Sequence, residues 1–85
     1  MNVLIPDALR SCTGATQVKA DAGTVGELFD RLDQRYPGIR FRVIDEQARF
    51  RRHMRCFVNG MQTFDLGEPL STHDDIVILQ ALSGG

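Results

Sequence analysis

What this sequence lacks removes several classes of function. It has only two cysteines, Cys12 and Cys56, too few for a disulfide scaffold or a four-cysteine iron–sulfur cluster within the chain. No apolar run approaches the ~20 residues that span a bilayer. Met1 to Pro6 lacks the basic start and long apolar core of a secretory signal. The formal net charge is −1, so no global field recruits nucleic acid or an anionic membrane. There is no glycine-rich loop ending in Lys and Ser or Thr, and no dinucleotide fingerprint. His53 and His73 lack metal-ligand spacing. The expectation is a cytoplasmic chain with no metal, no bound cofactor and no nucleic-acid or membrane partner.

What is present reads as one domain over residues 1–85. The composition, 42% hydrophobic and 25% charged, is ordinary for a globular chain, and two halves would each be too small to bury a core. A self-contained multi-substrate active site is a poor fit to this size, and a carrier, adaptor or subunit is a better one. Met1 to Pro6 predicts a short strand, and Ala15 to Ala20 a weaker one, joined as a hairpin by a long loop. Thr24 followed by Glu27 is a capping-box pattern. Val25, Leu28, Phe29, Leu32 and Tyr36 then form one buried helical stripe, which Pro37-Gly38 ends.

Ile39 to Arg52 reads as an irregular, charged connection. Six of the ten basic residues lie between positions 40 and 55, with Asp45 and Glu46 the only acids there. An acidic-partner or nucleic-acid patch is conceivable. A solvated connection tacked down by Ile39, Phe41, Val43, Ile44 and Phe50 is the favoured reading, since no nucleic-acid-binding motif accompanies the charge. Met54 to Val58 predicts a third strand, Asn59-Gly60 a tight turn, and Met61 to Leu66 a short fourth strand. Ile76 to Leu82 is almost continuously apolar and predicts a central strand, parallel to the first and beside it. The order β-β-α-β-β-β is an α+β fold, a mixed sheet with one long helix across one face.

Few residues offer chemistry. Cys56 alternates with Met54 and Val58 as a core residue would. Cys12 lies in a turn-like loop with nothing nearby to activate a thiolate. Asp74-Asp75 reads as a polar turn rather than a cation site. The remaining feature is Gly84-Gly85 after the central strand, a pair that chance would place there in about one chain in two hundred. Ser83, Gly84 and Gly85 would make a thin, flexible tail reaching about 10 Å beyond the fold. Such a tail suits delivery of a carboxylate into another protein's active site. A frayed or truncated terminus is the plain alternative.

The chain resembles the β-grasp, ubiquitin-like sulfur carriers, the family of the molybdopterin-synthase small subunit and the thiamine-pathway carrier. It is most similar to the cysteine-biosynthesis branch. The residues behind this are Pro6 to Leu9 with Thr13-Gly14, the helix start Gly23 to Leu28, Tyr36-Pro37-Gly38, Phe57 to Gly60, and Asp74 to Gly85. Departures are Gln80 where many relatives have proline, Ser83 where alanine is frequent, and His73 in place of a turn glycine.

The resemblance implies a co-substrate rather than an enzyme. A ubiquitin-activating-type adenylyltransferase would supply ATP and magnesium, and the Gly85 carboxylate would become an acyl-adenylate. A sulfur donor would convert it to a thiocarboxylate for an acceptor biosynthetic enzyme. In the cysteine branch the candidate acceptor is cysteine-synthase-like, and a metalloprotease that trims residues after the diglycine is a candidate partner. The resemblance also implies an apolar docking patch on the exposed sheet face. By alternation, Ile76, Ile78, Cys56 and Val58 point inward, and Val77, Leu79 and Phe57 outward. The expected patch is Phe57 and Leu79, with Met61 at its edge. Alternatives are a ubiquitin-like modifier joined through Gly85 to target lysines, the small subunit of a molybdopterin-synthase-like enzyme, and an interaction module with an inert tail.

Overall fold

The helix start shows how the chain organises itself. In the computed structural model, which describes residues 1–81, Thr24 is extended and its Oγ1 accepts from the Glu27 N–H at 3.2 Å. This caps α2, Val25–Arg35. Glu27 does not return the bond of a full capping box. Its carboxylate meets Arg31 one turn on at 3.1 Å. The helix's leading N–H groups are satisfied from elsewhere: Val25 donates to the Glu68 carbonyl at 3.0 Å, and Gly26 to that of Leu66 at 2.7 Å. A Cβ on Gly26 would sit 3.1 Å from that Leu66 oxygen, so the close approach favours glycine. Thr24→Ala is expected to cost about 0.5–2 kcal/mol, read as a lower urea midpoint with unchanged slope.

Five strands form one sheet: β1 (Asn2–Leu4), β2 (Gln17–Lys19), β3 (Met54–Val58), β4 (Met61–Thr63) and β5 (Asp75–Gln80). Their order is β2-β1-β5-β3-β4. β5 runs parallel to β1 and antiparallel to β3, so the last strand lies at the centre, as its continuous apolarity predicts. β1 and β2 pair antiparallel. Asn59 and Gly60 both have positive φ, 52° and 84°, the backbone a two-residue hairpin needs between β3 and β4. Asn59 also grips the start of β5: its amide donates to Asp74 at 2.9 Å, and its carbonyl oxygen accepts from the Asp75 N–H at 2.9 Å.

The core lies between the sheet and the helices. Val3, Val18, Met54, Cys56, Ile76 and Ile78 meet Val25, Leu28, Phe29 and Leu32 of α2 in one buried cluster. Phe29 is fully buried and packs edge-on against Phe50, with ring centroids 6.0 Å apart and planes at 76°.

Four segments differ from expectation. Asp7 to Thr13, expected as loop, is a 3-10 turn (Asp7–Leu9) followed by the short helix α1 (Arg10–Thr13). Cys12 therefore sits on a helix, half-buried. Ile39–Val43, expected to be irregular, forms helix α3. Pro37-Gly38 ends one helix and leads into another. The Asp33 carboxylate of α2 accepts from the backbone N–H groups of Gly38 and Arg40 at 3.0 and 3.1 Å, which starts α3. Its Ile39 and Val43, four apart, are both buried. The fourth strand stops at Thr63, where the hydroxyl accepts from the Asp65 N–H and turns the chain. The last strand ends at Gln80, and Leu82 lies outside the described residues.

Candidate functional site

The helices cover one face of the sheet and leave the other open. Alternation decides what the open face shows. Val3, Ile76, Cys56 and Thr63 are buried on the helix side, so their strand neighbours point the other way. Register then aligns these neighbours: Leu4 pairs with Val77, Val77 with Phe57, and Phe57 with Gln62. An apolar row, Leu4–Val77–Phe57, thus crosses the three middle strands. Leu79, one step along β5 on the same face, pairs with Arg55. Leu4 is 48% exposed and Leu79 46%, high for large apolar side chains on a sheet, while Val77 and Phe57 are half-buried.

The expected outward residues Phe57 and Leu79 thus share one face. Met61 does not join them. It pairs with Val58, on the opposite phase from Phe57 and Gln62, so its 76% exposed side chain belongs to the hairpin end rather than this face. Leu4 and Val77 are the residues that sequence reasoning left out of the patch. Alternation had placed Val77 outward, but adjacency to Phe57 requires the register. Leu4, Val77 and Leu79 also line a groove of about 450 Å3 with Pro6, Arg10 and Gln80, where β5 ends.

The other chemistry-bearing residues are dispersed. Cys56 is 1% exposed, and burial pushes its thiol up to about 12, so it offers no thiolate at neutral pH. His53 and His73 are exposed at opposite ends of the β3–β5 pair. Asp74 is held below the usual carboxylate range, first by the Ser71 N–H and then by Asn59 and the Ser71 hydroxyl. That carboxylate is a structural acceptor in the turn before β5. Among the described residues no group of three or more His, Cys, Asp or Glu side chains is placed to hold a metal ion, and no helix is long and apolar enough to cross a membrane.

The last hydrogen bond along β5 among the described residues is the Ala81 N–H donating to the His53 carbonyl at 2.7 Å. This continues the β3–β5 ladder one step past Gln80. The expected tail, Ser83, Gly84 and Gly85, lies outside the described residues.

A mixed five-stranded sheet with the last strand central and a helix across one face defines a ubiquitin-like β-grasp protein. Solved structures agree. A chain of the Amycolatopsis orientalis BexX/CysO complex is 32% identical, with a TM-score of 0.89 over 99% of this chain and 98% of that one. Mycobacterium tuberculosis CysO is 29% identical, with a TM-score of 0.89 over 95% and 98%. SAMP1 from Haloferax volcanii is 26% identical, with a TM-score of 0.82 over 100% and 98%. Among the curated proteins none matches. The chain belongs to the ThiS family, which matches over residues 3–85. This is the sulfur-carrier family that the sequence resembles, and the similarity to CysO fits its cysteine-biosynthesis branch.

Proposed function

We propose that the chain carries sulfur as a thiocarboxylate on Gly85, acting as a co-substrate while partner enzymes supply the catalysis. The observation that carries this reading is the family match through residue 85 on a fold whose central strand is the last one, ending at Gln80, five positions before Gly85. A Gly85 carboxylate oxygen attacks the α-phosphorus of ATP on an activating enzyme, and magnesium pyrophosphate leaves. The acyl-adenylate is then open at its carbonyl carbon. Hydrosulfide attacks there and AMP leaves, giving the thiocarboxylate. If a partner persulfide attacks, an acyl disulfide forms, and a thiol must cleave it to release the same product.

The apolar row and Leu79 form the face that meets the activating enzyme. An exposed apolar row of this kind gains stability when a partner covers it. Leu79→Asp leaves the buried cluster intact and is expected to raise KM for the carrier roughly 30-fold, the equivalent of losing a 2 kcal/mol hot spot. Steady-state activation kinetics check this, and an unchanged KM removes Leu79 from the interface. The carrier works in a reducing cytoplasm, which suits the free Cys12 and Cys56 thiols.

Intact mass after incubation with activating enzyme, magnesium ATP and a sulfur donor tests the function. A gain equal to sulfur minus oxygen at Gly85 supports it. The similarity to SAMP1, a small archaeal modifier protein, favours one second reading, conjugation through Gly85. An isopeptide adduct on a target lysine in place of a free thiocarboxylate would support that reading.

A further inference from the structure

The run of arginines between positions 40 and 55 does not stay together in space. Arg40 leaves it for α2, where its Nε lies 2.9 Å from Asp30 Oδ1. The N–H is not aimed at that oxygen, so this is a charge contact rather than a hydrogen bond. Arg49 belongs to the Asp45 loop. Its backbone N–H donates to the Asp45 carboxylate at 3.1 Å and is the main cause of that group's lowered pKa.

The other four gather at one place, and Arg10 joins them from a distant part of the sequence. Arg10 and Gln80 line the groove described above. Arg42, Arg51 and Gln80 line a second concavity of about 360 Å3. Arg51, Arg52 and Arg55 line a third, of about 430 Å3. The first two share Ala8 and Gln80 at the end of β5, and the last two share Arg51 and Met54, so the three are contiguous from the end of β5 to the neighbouring start of β3. The result is a collar of five arginines beside the end of β5.

The collar is built and largely uncompensated. Arg51 Nε donates to the Phe41 carbonyl at 2.5 Å, and its guanidinium lies 4.4 Å from the centroid of the Phe41 ring. Arg55 donates to the carbonyls of Arg52 and Met54 at 2.8 and 3.1 Å. These bonds orient the groups without neutralising them. Arg10 is paired with Asp7 at 2.6 Å, and Arg51 is near enough to Asp45 to help hold that carboxyl down, while the ion pairs among the described residues leave out Arg42, Arg51, Arg52 and Arg55. Asp74 and Asp75 stand at the other end of β5, roughly 17 Å away along the strand. The chain is therefore polarised along its central strand, which a net charge of −1 conceals.

We propose that this collar is the docking surface for a carboxylate-lined channel mouth on the activating enzyme. The inference rests on the carrier reading and adds the chemistry of the partner's rim. Position selects the occupant. An enzyme that takes Gly85 into its active site must bring the mouth of its channel against the residues around the base of the tail. Fixed positive charge there favours a rim of Asp and Glu, speeds encounter and orients the tail toward the opening. Arginine's planar fork suits bidentate pairing with such carboxylates.

The test compares the wild-type chain with Arg42→Glu/Arg52→Glu, two exposed positions outside the core. Lys19→Glu/Arg31→Glu, reversing the same charge on β2 and α2, is the control. Binding to the activating enzyme and thiocarboxylate formation are both measured at about 0.05 and 0.3 M salt, where screening differs strongly. Unchanged urea midpoints show that the variants fold, and Arg42→Gln/Arg52→Gln supplies a milder pair. The collar reversal is expected to weaken binding and raise KM by roughly 10-fold or more at low salt, with kcat unchanged. Added salt should narrow the gap, and the control should stay near wild type.

Equal affinity for all variants overturns the proposal. Equal loss in the control also overturns it, since net charge alone would then be at work. A reversal that spares enzyme binding but abolishes binding to transfer RNA overturns it in favour of a nucleic-acid surface. If the wild type binds the enzyme without gaining sulfur, the carrier reading fails, while the salt-dependent binding comparison still decides the collar. If the wild type neither binds nor gains sulfur, both readings fall.

Discussion

Deleting Gly85 is expected to abolish thiocarboxylate formation while leaving the urea midpoint unchanged. The reason is reach. The ladder holds β5 to Gln80 opposite Met54, and Ala81 is tied to His53. The distance from that anchor to the reacting carbon is therefore set by the number of residues that follow. Removing one shortens the chain by about 3.3–3.6 Å. In-line attack on a phosphorus requires an approach of about 3–3.5 Å, so the Gly84 carboxylate falls short by a whole residue. Among the described residues the last member of the buried cluster is Ile78, seven positions before Gly85, so the folded core is expected to survive the deletion. Intact mass and urea unfolding on the same sample check both halves. Gly85→Ala keeps the length but adds a methyl group beside the reacting carbon, and a rate loss on the order of 10²-fold is expected from misplacement. A Gly85-deleted chain that gains sulfur at the wild-type rate would sink the mechanism.

The largest expected effect on stability belongs to Phe29→Ala. Phe29 is fully buried: it joins the α2 stripe to the sheet and holds Phe50 edge-on. Truncating a buried phenylalanine costs about 3–5 kcal/mol, because transfer energy is lost and a cavity is left behind. At roughly 0.05–0.15 kcal/mol per residue, a chain of this size has about 4–13 kcal/mol in total. The variant should therefore lose roughly a quarter or more of its stability. Its Tm should fall by about 4–8 °C for each kcal/mol lost. The loss should also reach the neighbouring segment, where Phe50 bridges to Ile44 and precedes Arg51 and Arg52 of the collar. Denaturation of purified variants checks this, and a loss below about 1 kcal/mol would show that the core closes around the gap.

These two predictions draw on different kinds of information. The Gly85 argument begins in the sequence, where the terminal glycine pair follows an apolar strand. Phe29 was also legible, as one member of a helical stripe, because a helix repeats within a few residues. Inward and outward phases along β3 and β5 were legible for the same reason, since a strand alternates between neighbours. Helix α3 was harder to see. Its Ile39–Val43 spacing was present, but the segment is short and its start depends on Asp33 reaching back from α2. The place of Met61 was missed because a turn lies between it and Phe57. Alternation does not carry across a turn, and only the pairing with Val58 gives its phase.

By itself, then, the sequence determined the five strands and the long helix, the central position of the last strand and the buried helical stripe. Each of these rests on local periodicity, or on apolarity too continuous for an edge strand. Only the tertiary structure decided that Leu4, Val77 and Phe57 form one row, that Met61 stands apart from it, and that Arg10 joins Arg42, Arg51, Arg52 and Arg55 in adjoining concavities beside the end of β5. The reason is physical. A surface is made by neighbours across strands and loops, and the register that brings β1, β3 and β5 together is set by burying the other face of the sheet.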